Sequence, residues 1–180
     1  MDIIESKTIK GLYSLKDKVF ADDRGSYRQF FDLGDWVKGF NGDALFTFNP
    51  HQTSASVSRK GVMRGFHGDY CTKKLVSCPF GKLQLILIDV SRNSDTYGHT
   101  ETYILSEDEN LSVLVPATCG VGHLILSNKA MFHYLQSTSY GHYDQYTLSY
   151  EDPAVRDLWQ EKPSIISDRD KKGLFLDKLN

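Results

Sequence analysis

Arg64-Gly65-Phe66-His67, with Lys74 seven residues further on, is the stretch of this 180-residue chain whose residue types and spacing most directly suggest chemistry. His67 is a potential base set between two fixed cations. Removing a proton next to a ketone needs a base at that carbon and a positive charge at the oxygen that becomes an enolate. Arg64 and Lys74 are placed to supply that charge. Along an extended chain alternate residues share a face, so Gly65 and His67 point one way and Phe66 the other. A lone histidine on an apolar strand is more often structural than catalytic; the flanking cations turn the reading toward proton transfer.

The elements that must hold this motif read as strands. Short runs rich in Tyr, Phe, Val and Thr are broken by turn residues, and aromatics make up 12% of the chain, an all-β pattern. Residues 83–90, Leu-Gln-Leu-Ile-Leu-Ile-Asp-Val, are apolar almost throughout, as a strand covered on both faces would be. The preceding Pro79-Phe80-Gly81-Lys82 reads as a hairpin turn. Residues 106–110 form a polar turn between strands 101–105 and 111–115, and residues 131–137 and 145–150 read as further strands. Short strands at this spacing predict a sandwich or barrel. A short helix is expected at 33–40, ended by Gly39 or Gly42. After Asp152-Pro153 the composition turns charged, and 154–160 and 167–179 read as short helices or turns packed on the barrel.

Composition narrows the function. The length suits one domain, 1–180, and 40% hydrophobic with 24% charged residues is ordinary globular usage. The formal net charge is −2 and basic residues are scattered, which argues against a nucleic-acid surface. No apolar run approaches membrane-spanning length. The N-terminus lacks the regions of a signal peptide, so a cytoplasmic protein is the default expectation. Cys71, Cys78 and Cys119 form no CxxC pair and read as free thiols, with Cys119 more a buried thiol than a nucleophile. There is no GxGxxG fingerprint and no P-loop, so neither a redox cofactor nor NTP hydrolysis is implied.

The Arg64–His67 strand, Lys73-Lys74-Leu75-Val76 and Pro79-Phe80-Gly81-Lys82 resemble the active-site region of the dTDP-4-dehydrorhamnose 3,5-epimerase family. The likeness continues in Phe20-Ala21-Asp22-Asp23-Arg24-Gly25-Ser26-Tyr27 and in Asp89-Val90-Ser91-Arg92 with Ser94-Asp95-Thr96-Tyr97-Gly98, and so covers nearly the whole chain. It implies a cupin-type jelly-roll β-sandwich with short C-terminal helices. It also implies an activity without cofactor: inversion of C3, or of C3 and C5, in a nucleotide-diphosphate-linked 4-keto sugar, for deoxysugar or heptose biosynthesis. Carried over residue by residue, His67 is the base and Asp170, in Ser167-Asp168-Arg169-Asp170, orients it. Lys74 stabilises the enolate, and Tyr134 returns a proton to the opposite face. Arg64, Gln52 and Tyr140 are implied substrate contacts, and Ser54 and His123, which depart from the family pattern, are read as contacts in the same sugar layer. Arg24 is implied to approach the nucleotide of a neighbouring subunit, hence a homodimer. If the strand through Tyr134 ran unbroken, Tyr140 would share its face.

Two departures fall on the sugar-contacting layer. Ser54 stands where the family carries asparagine, and Val121 where it carries histidine, with His123 two residues later. They point to another nucleotide 4-keto sugar, GDP-linked 4-keto heptoses among the candidates, or to inversion at C3 alone. With one histidine in the first cupin motif and valine in the second, no metal site is expected. A 4-keto sugar 3,4-ketoisomerase and a non-catalytic sugar-binding cupin remain as alternatives. The isomerase also begins by deprotonating C3 but returns the proton to C4.

Overall fold

The structure, a computed structural model, describes residues 2–40 and 48–179. The apolar runs pair into two facing antiparallel sheets. The six-stranded sheet runs, edge to edge, β1 (Asp2–Glu5), β2 (Tyr13–Lys16), β10 (Leu111–Val115), β7 (Lys74–Ser77), β12 (Lys129–Gln136) and β5 (Gln52–Arg59). The five-stranded sheet runs β13 (Tyr146–Thr147), β6 (Met63–Gly68), β11 (Cys119–Ile125), β8 (Lys82–Asp89) and β9 (Thr100–Ser106). A separate ribbon pairs β3 (Val19–Asp22) with β4 (Gly25–Arg28). This is the expected two-layer jelly roll.

Strand β8 shows why its sequence is apolar on both faces. Leu83, Leu85 and Leu87 point between the sheets, where they pack with Val76, Val113, Val115 and Ile125. Ile86 and Ile88 point outward and join Phe66, Leu148, Val155 and Leu179 under the C-terminal segment. Each such side chain contributes roughly 1.5–3 kcal/mol by leaving water. Gln84 survives on the outer face because its amide is satisfied: Nε2 donates to Leu158 O at 2.7 Å, and Oε1 accepts from Gln160 N–H at 2.9 Å. The tail is thus fastened by apolar contact and by hydrogen bonds. It holds the helix α2 (Asp168–Lys171) and 3-10 turns at Arg156–Leu158 and Leu176–Lys178.

Helix α1 (Leu33–Gly39) is capped by Asp32, whose carboxylate accepts the Asp35 N–H at 2.9 Å. It stops at Gly39; the alternative stop, Gly42, lies outside the described residues. Trp36 and Phe40 cover Tyr13, Leu15 and Leu75 on the outer face of the six-stranded sheet. Among the described residues no helix is long and apolar enough to cross a membrane.

Three expectations change. Pro79-Phe80-Gly81-Lys82 does not close a hairpin: β7 and β8 lie in different sheets, so this turn carries the chain across the sandwich. The strand expected at 145–150 shrinks to Tyr146–Thr147, because Leu148 still bonds Phe66 while Ser149 N–H turns to Leu174 O in the tail. β12 ends at Gln136, so Tyr140 does not share a continuous strand face with Tyr134.

Gly65 is dictated by geometry. Its φ is +112°, and a Cβ there would lie 2.3 Å from Val121 O and 2.7 Å from the Gly122 Cα. Both contacts are backbone atoms of the paired strand and cannot step aside. Gly65→Ala is therefore expected to lower the free energy of unfolding by about 2 kcal/mol or more. A urea midpoint equal to that of the wild type would contradict this account of the β6–β11 junction.

Candidate active site

At one end of the sandwich the sheets part around a cleft of about 340 Å³. Strand β6 supplies Arg64 and His67, and β11 beside it supplies Val121 and His123. The facing wall carries Lys74 of β7, Phe132, Tyr134 and Gln136 of β12, and Ser54, Ala55 and Ser56 of β5. The helix α2 region closes the cleft with Ser167, Arg169 and Asp170, and Gln145 and Tyr140 stand at its edge. Alternation alone would place Arg64 and His67, three residues apart, on opposite faces; the register shift between Val121 and His123 on the paired strand lets both line the cleft. Phe66 turns outward against Trp159, with ring centroids 5.6 Å apart, so His67 must turn inward.

His67 Nε2 and Asp170 Oδ1 are 2.7 Å apart. The Asp170 side chain is 2% exposed and that of His67 27%, so the carboxylate is the hidden partner and the imidazole reaches the cleft. Ser167 caps α2 by accepting the Asp170 N–H at 3.1 Å, which fixes where the carboxylate begins. Burial pushes the Asp170 carboxyl up. The hydrogen bond and charge of His67, the Ser167 hydroxyl and the Gly65 N–H outweigh it and hold the group below the ordinary carboxylate value. An ionised Asp170 accepts from an Nε2–H, and that leaves Nδ1 as the free basic nitrogen.

On the opposite wall, burial lowers the Lys74 ammonium from its ordinary value, the charge of Asp69 pulls it back up and that of Arg169 pushes it down. A poorly hydrated cation of this kind acts strongly on an oxyanion formed beside it. Ser54 and Val76 flank Tyr134 across the strands, and Gln136 lies opposite Lys74. The cleft therefore holds an oriented imidazole on one wall, and an ammonium and a phenol on the other.

Two implied contacts lie elsewhere. Gln52 is not on the cleft surface. Its Nε2 donates to Ser54 Oγ at 3.0 Å, and its Oε1 accepts the Tyr140 N–H at 2.7 Å, so it braces two residues that are. Arg24 sits on the β3–β4 ribbon, paired with Asp22 at 2.5 Å and lining a separate hollow with Phe20 and Tyr27. Arg169 joins the cleft unforeseen, its Nε donating to Thr147 Oγ1 at 3.0 Å and its Nη2 to Gln145 Oε1 at 3.3 Å. Its place directly before Asp170 was the available signal. Cys78 and Cys119 are buried, and burial pushes their thiols up to about 11 and about 12, which suits inert packing groups.

Solved structures share this fold. The dTDP-6-deoxy-D-glucose-3,5-epimerase of Legionella pneumophila Philadelphia 1, in complex with dTDP-4-keto-L-rhamnose, superposes with a TM-score of 0.89 at 25% identity, over 99% of this chain and 94% of that one. A 3′-monoepimerase from Streptomyces bikiniensis, in complex with dTDP-quinovose, gives 0.86 at 25% identity over 97% and 88%. The dTDP-4-dehydrorhamnose 3,5-epimerase of Escherichia coli strain K12 is 28% identical over 99% of this chain and 96% of its own. The fold is that of the cupin-like nucleotide-sugar epimerases. The family model for dTDP-4-dehydrorhamnose 3,5-epimerase matches residues 6–178, and the chain belongs to that family.

The lowered Asp170 carboxyl predicts a pH dependence with a definite sign. A group held below its unfolded value, about 3.9, stabilises the folded chain above that pH, and the contribution is lost as pH falls through the lower folded value. Asp170→Asn has no such titration. Thermal unfolding of the wild type is expected to fall more steeply than that of Asp170→Asn below about pH 4. Parallel curves would mean that the carboxylate gains nothing from His67.

Proposed function

We propose that this epimerase inverts C3, or C3 and C5, of a nucleotide-diphosphate 4-keto sugar, with His67 as the base. The observation that carries the reading is the His67–Asp170 pair opening onto a cleft shared with Lys74 and Tyr134. Nδ1 of His67 removes the C3 proton, and ionised Asp170 stabilises the imidazolium through Nε2–H. The electron pair moves into the C3–C4 bond and charge develops on the C4 oxygen, which Lys74 stabilises. Tyr134, on the other wall, delivers a proton to the opposite face of C3. His67 and the tyrosinate return to their starting states by exchange with solvent. Repetition at C5 of the same ketone gives the double inversion.

Arg64 and Arg169 bring positive charge to the cleft and suit the sugar diphosphate. Ser54, Tyr140 and His123 contact the sugar, with Gln52 positioning Ser54 and Tyr140. Arg24 approaches the nucleotide held by a second copy in a homodimer. The exposure of Phe20 (60%) and Tyr27 (65%) on the same ribbon supports such a partner. The relatives point to dTDP as the nucleotide. The replacements at Ser54 and Val121 make GDP-linked 4-keto sugars the second series to assay.

The test is incubation with dTDP- and GDP-linked 4-keto sugars in D₂O, followed by NMR. Deuterium is expected at C3, with C5 labelled only if both centres are inverted. His67→Asn should lower incorporation at C3 by about 10² or more, the usual worth of a general base. Label at C4 with a new ketone at C3 would identify an isomerase, and no label from any sugar a non-catalytic binder. In Lys74→Met, loss of a charge worth roughly 3 kcal/mol to the oxyanion should depress turnover far more than affinity. A change in affinity alone would require another electrophile.

A further inference from the structure

Gln136 is a buried amide of the cleft wall with only its nitrogen end engaged. It stands on β12 two residues past Tyr134, on the same face of the strand, and is 3% exposed. Its Nε2 donates to Thr138 O at 2.9 Å and to Gln52 Oε1 at 3.4 Å. Thr138 O is a backbone carbonyl and can only accept, so the amide has one orientation, nitrogen toward Thr138 and oxygen away from it. Among the described residues that oxygen, Oε1, accepts no hydrogen bond. The partnerless side-chain atoms that are sealed from water belong, among the described residues, to Arg28, His123 and Tyr146. Gln136 Oε1 is not one of them, so it keeps an opening, and the space that Gln136 lines is the cleft. Gln52 is the contrast: both ends of its amide are engaged, and it lines no part of the cleft. Buried polar atoms almost always have a partner, so a free acceptor that opens on a ligand cleft points to the ligand.

The kind of partner follows from the acceptor and from its neighbour. An amide oxygen has no proton to give, so it takes a donor. A ketone and an ionised phosphate offer only acceptors, whereas a sugar hydroxyl donates. Gln136 pairs directly with Lys74 across β12 and β7, and both residues line the cleft. Directly opposed side chains start about 5 Å apart, so the groups they hold lie side by side on one substrate. Lys74 takes the C4 oxygen in the mechanism above, which puts the hydroxyl at Gln136 on a carbon next to C4. C5 bears the ring oxygen and a carbon substituent, and that leaves the hydroxyl on C3. In the planar enolate the C3 and C4 oxygens lie in one plane on the same side of the double bond, and the Gln136–Lys74 pair presents its two groups in that order.

We propose that Oε1 of Gln136 accepts the C3 hydroxyl of the sugar and thereby selects substrates that carry it over their 3-deoxy analogues. The proposal rests on the cleft being the sugar site described above. Its test is binding of sugars that lack the ketone and so do not react. Calorimetry compares dTDP- and GDP-linked glucose, 3-deoxyglucose and 2-deoxyglucose against wild type, Gln136→Leu and Gln136→Glu. In the wild type the 3-deoxy sugar is expected to bind about five- to tenfold more weakly than glucose, the range of one hydrogen bond. Gln136→Leu removes the acceptor, and that ratio should fall to about one. Gln136→Glu keeps an acceptor oxygen but loses the N–H that braces Thr138, and it should retain the discrimination. The ratio of glucose to 2-deoxyglucose, and the affinity for free dTDP or GDP, should be the same in wild type and Gln136→Leu.

Equal binding of glucose and 3-deoxyglucose by the wild type, or discrimination that survives in Gln136→Leu, overturns the proposal. Loss of discrimination in Gln136→Glu as complete as in Gln136→Leu also overturns it, because Gln136 would then act only as a brace for Thr138 and Gln52. A change in the 2-deoxyglucose ratio in place of the 3-deoxyglucose ratio overturns the assignment to C3. These binding readouts stand apart from deuterium incorporation, so failure of the epimerase reading and failure of this one are told apart.

Discussion

The 2.7 Å hydrogen bond between His67 and Asp170 is the contact on which the arrangement depends. It joins residue 67 of an inner strand to residue 170 of a tail that arrives more than a hundred residues later. An imidazole that points into an open cleft is free to rotate, and a carboxylate buried without a partner is costly. Each group removes the other's difficulty. The pair divides the ring into a nitrogen held by the protein and a nitrogen offered to the cleft.

Much of the tail's packing can be understood as support for this contact. Val155 and Leu179 bury against Phe66, Ile86 and Ile88. Parallel bridges tie Val62 to Ile165 and Leu148 to Leu174 on either side of α2. Ser167 caps the four-residue helix that carries Asp170. A helix this short has no independent stability. It stands because both of its flanks are fastened to the five-stranded sheet, which also carries His67. Gly65 adds a third constraint, since only a residue without Cβ lets β6 approach β11 so closely beside the imidazole.

What could be read in the sequence followed from local rules. The nearly continuous apolar run of β8, interrupted by Gln84, announced a strand buried on both faces, and Gly39 marked the end of α1. The motif that named His67 and Lys74 also located two residues that share the cleft. Connectivity was less legible. Pro79-Phe80-Gly81-Lys82 has the composition of a hairpin turn, yet it crosses between sheets, because turn chemistry fixes a reversal and not the partner that follows it. The same limit applies to 145–150, where competition between β6 and Leu174 for backbone hydrogen bonds shortened the strand. Gln52, expected at the sugar, and Arg169, to which no role was given, take their places for a tertiary reason. Gln52 turns to brace Ser54 and Tyr140, while Arg169, beside a buried Asp170, faces the cleft.

Under the proposed mechanism proton transfer is divided between groups on facing walls, His67 from the five-stranded sheet and Tyr134 from the six-stranded one. A single base can only return a proton to the face it came from. The direct measurement is Tyr134→Phe in D₂O, with exchange at C3 and formation of the inverted sugar followed in one sample. The account predicts that exchange persists, because His67 and Asp170 are intact, while inversion collapses. Inversion at the wild-type rate would contradict it by giving the second proton to Tyr140 or water. Loss of exchange together with inversion would contradict it by making Tyr134 part of binding or deprotonation.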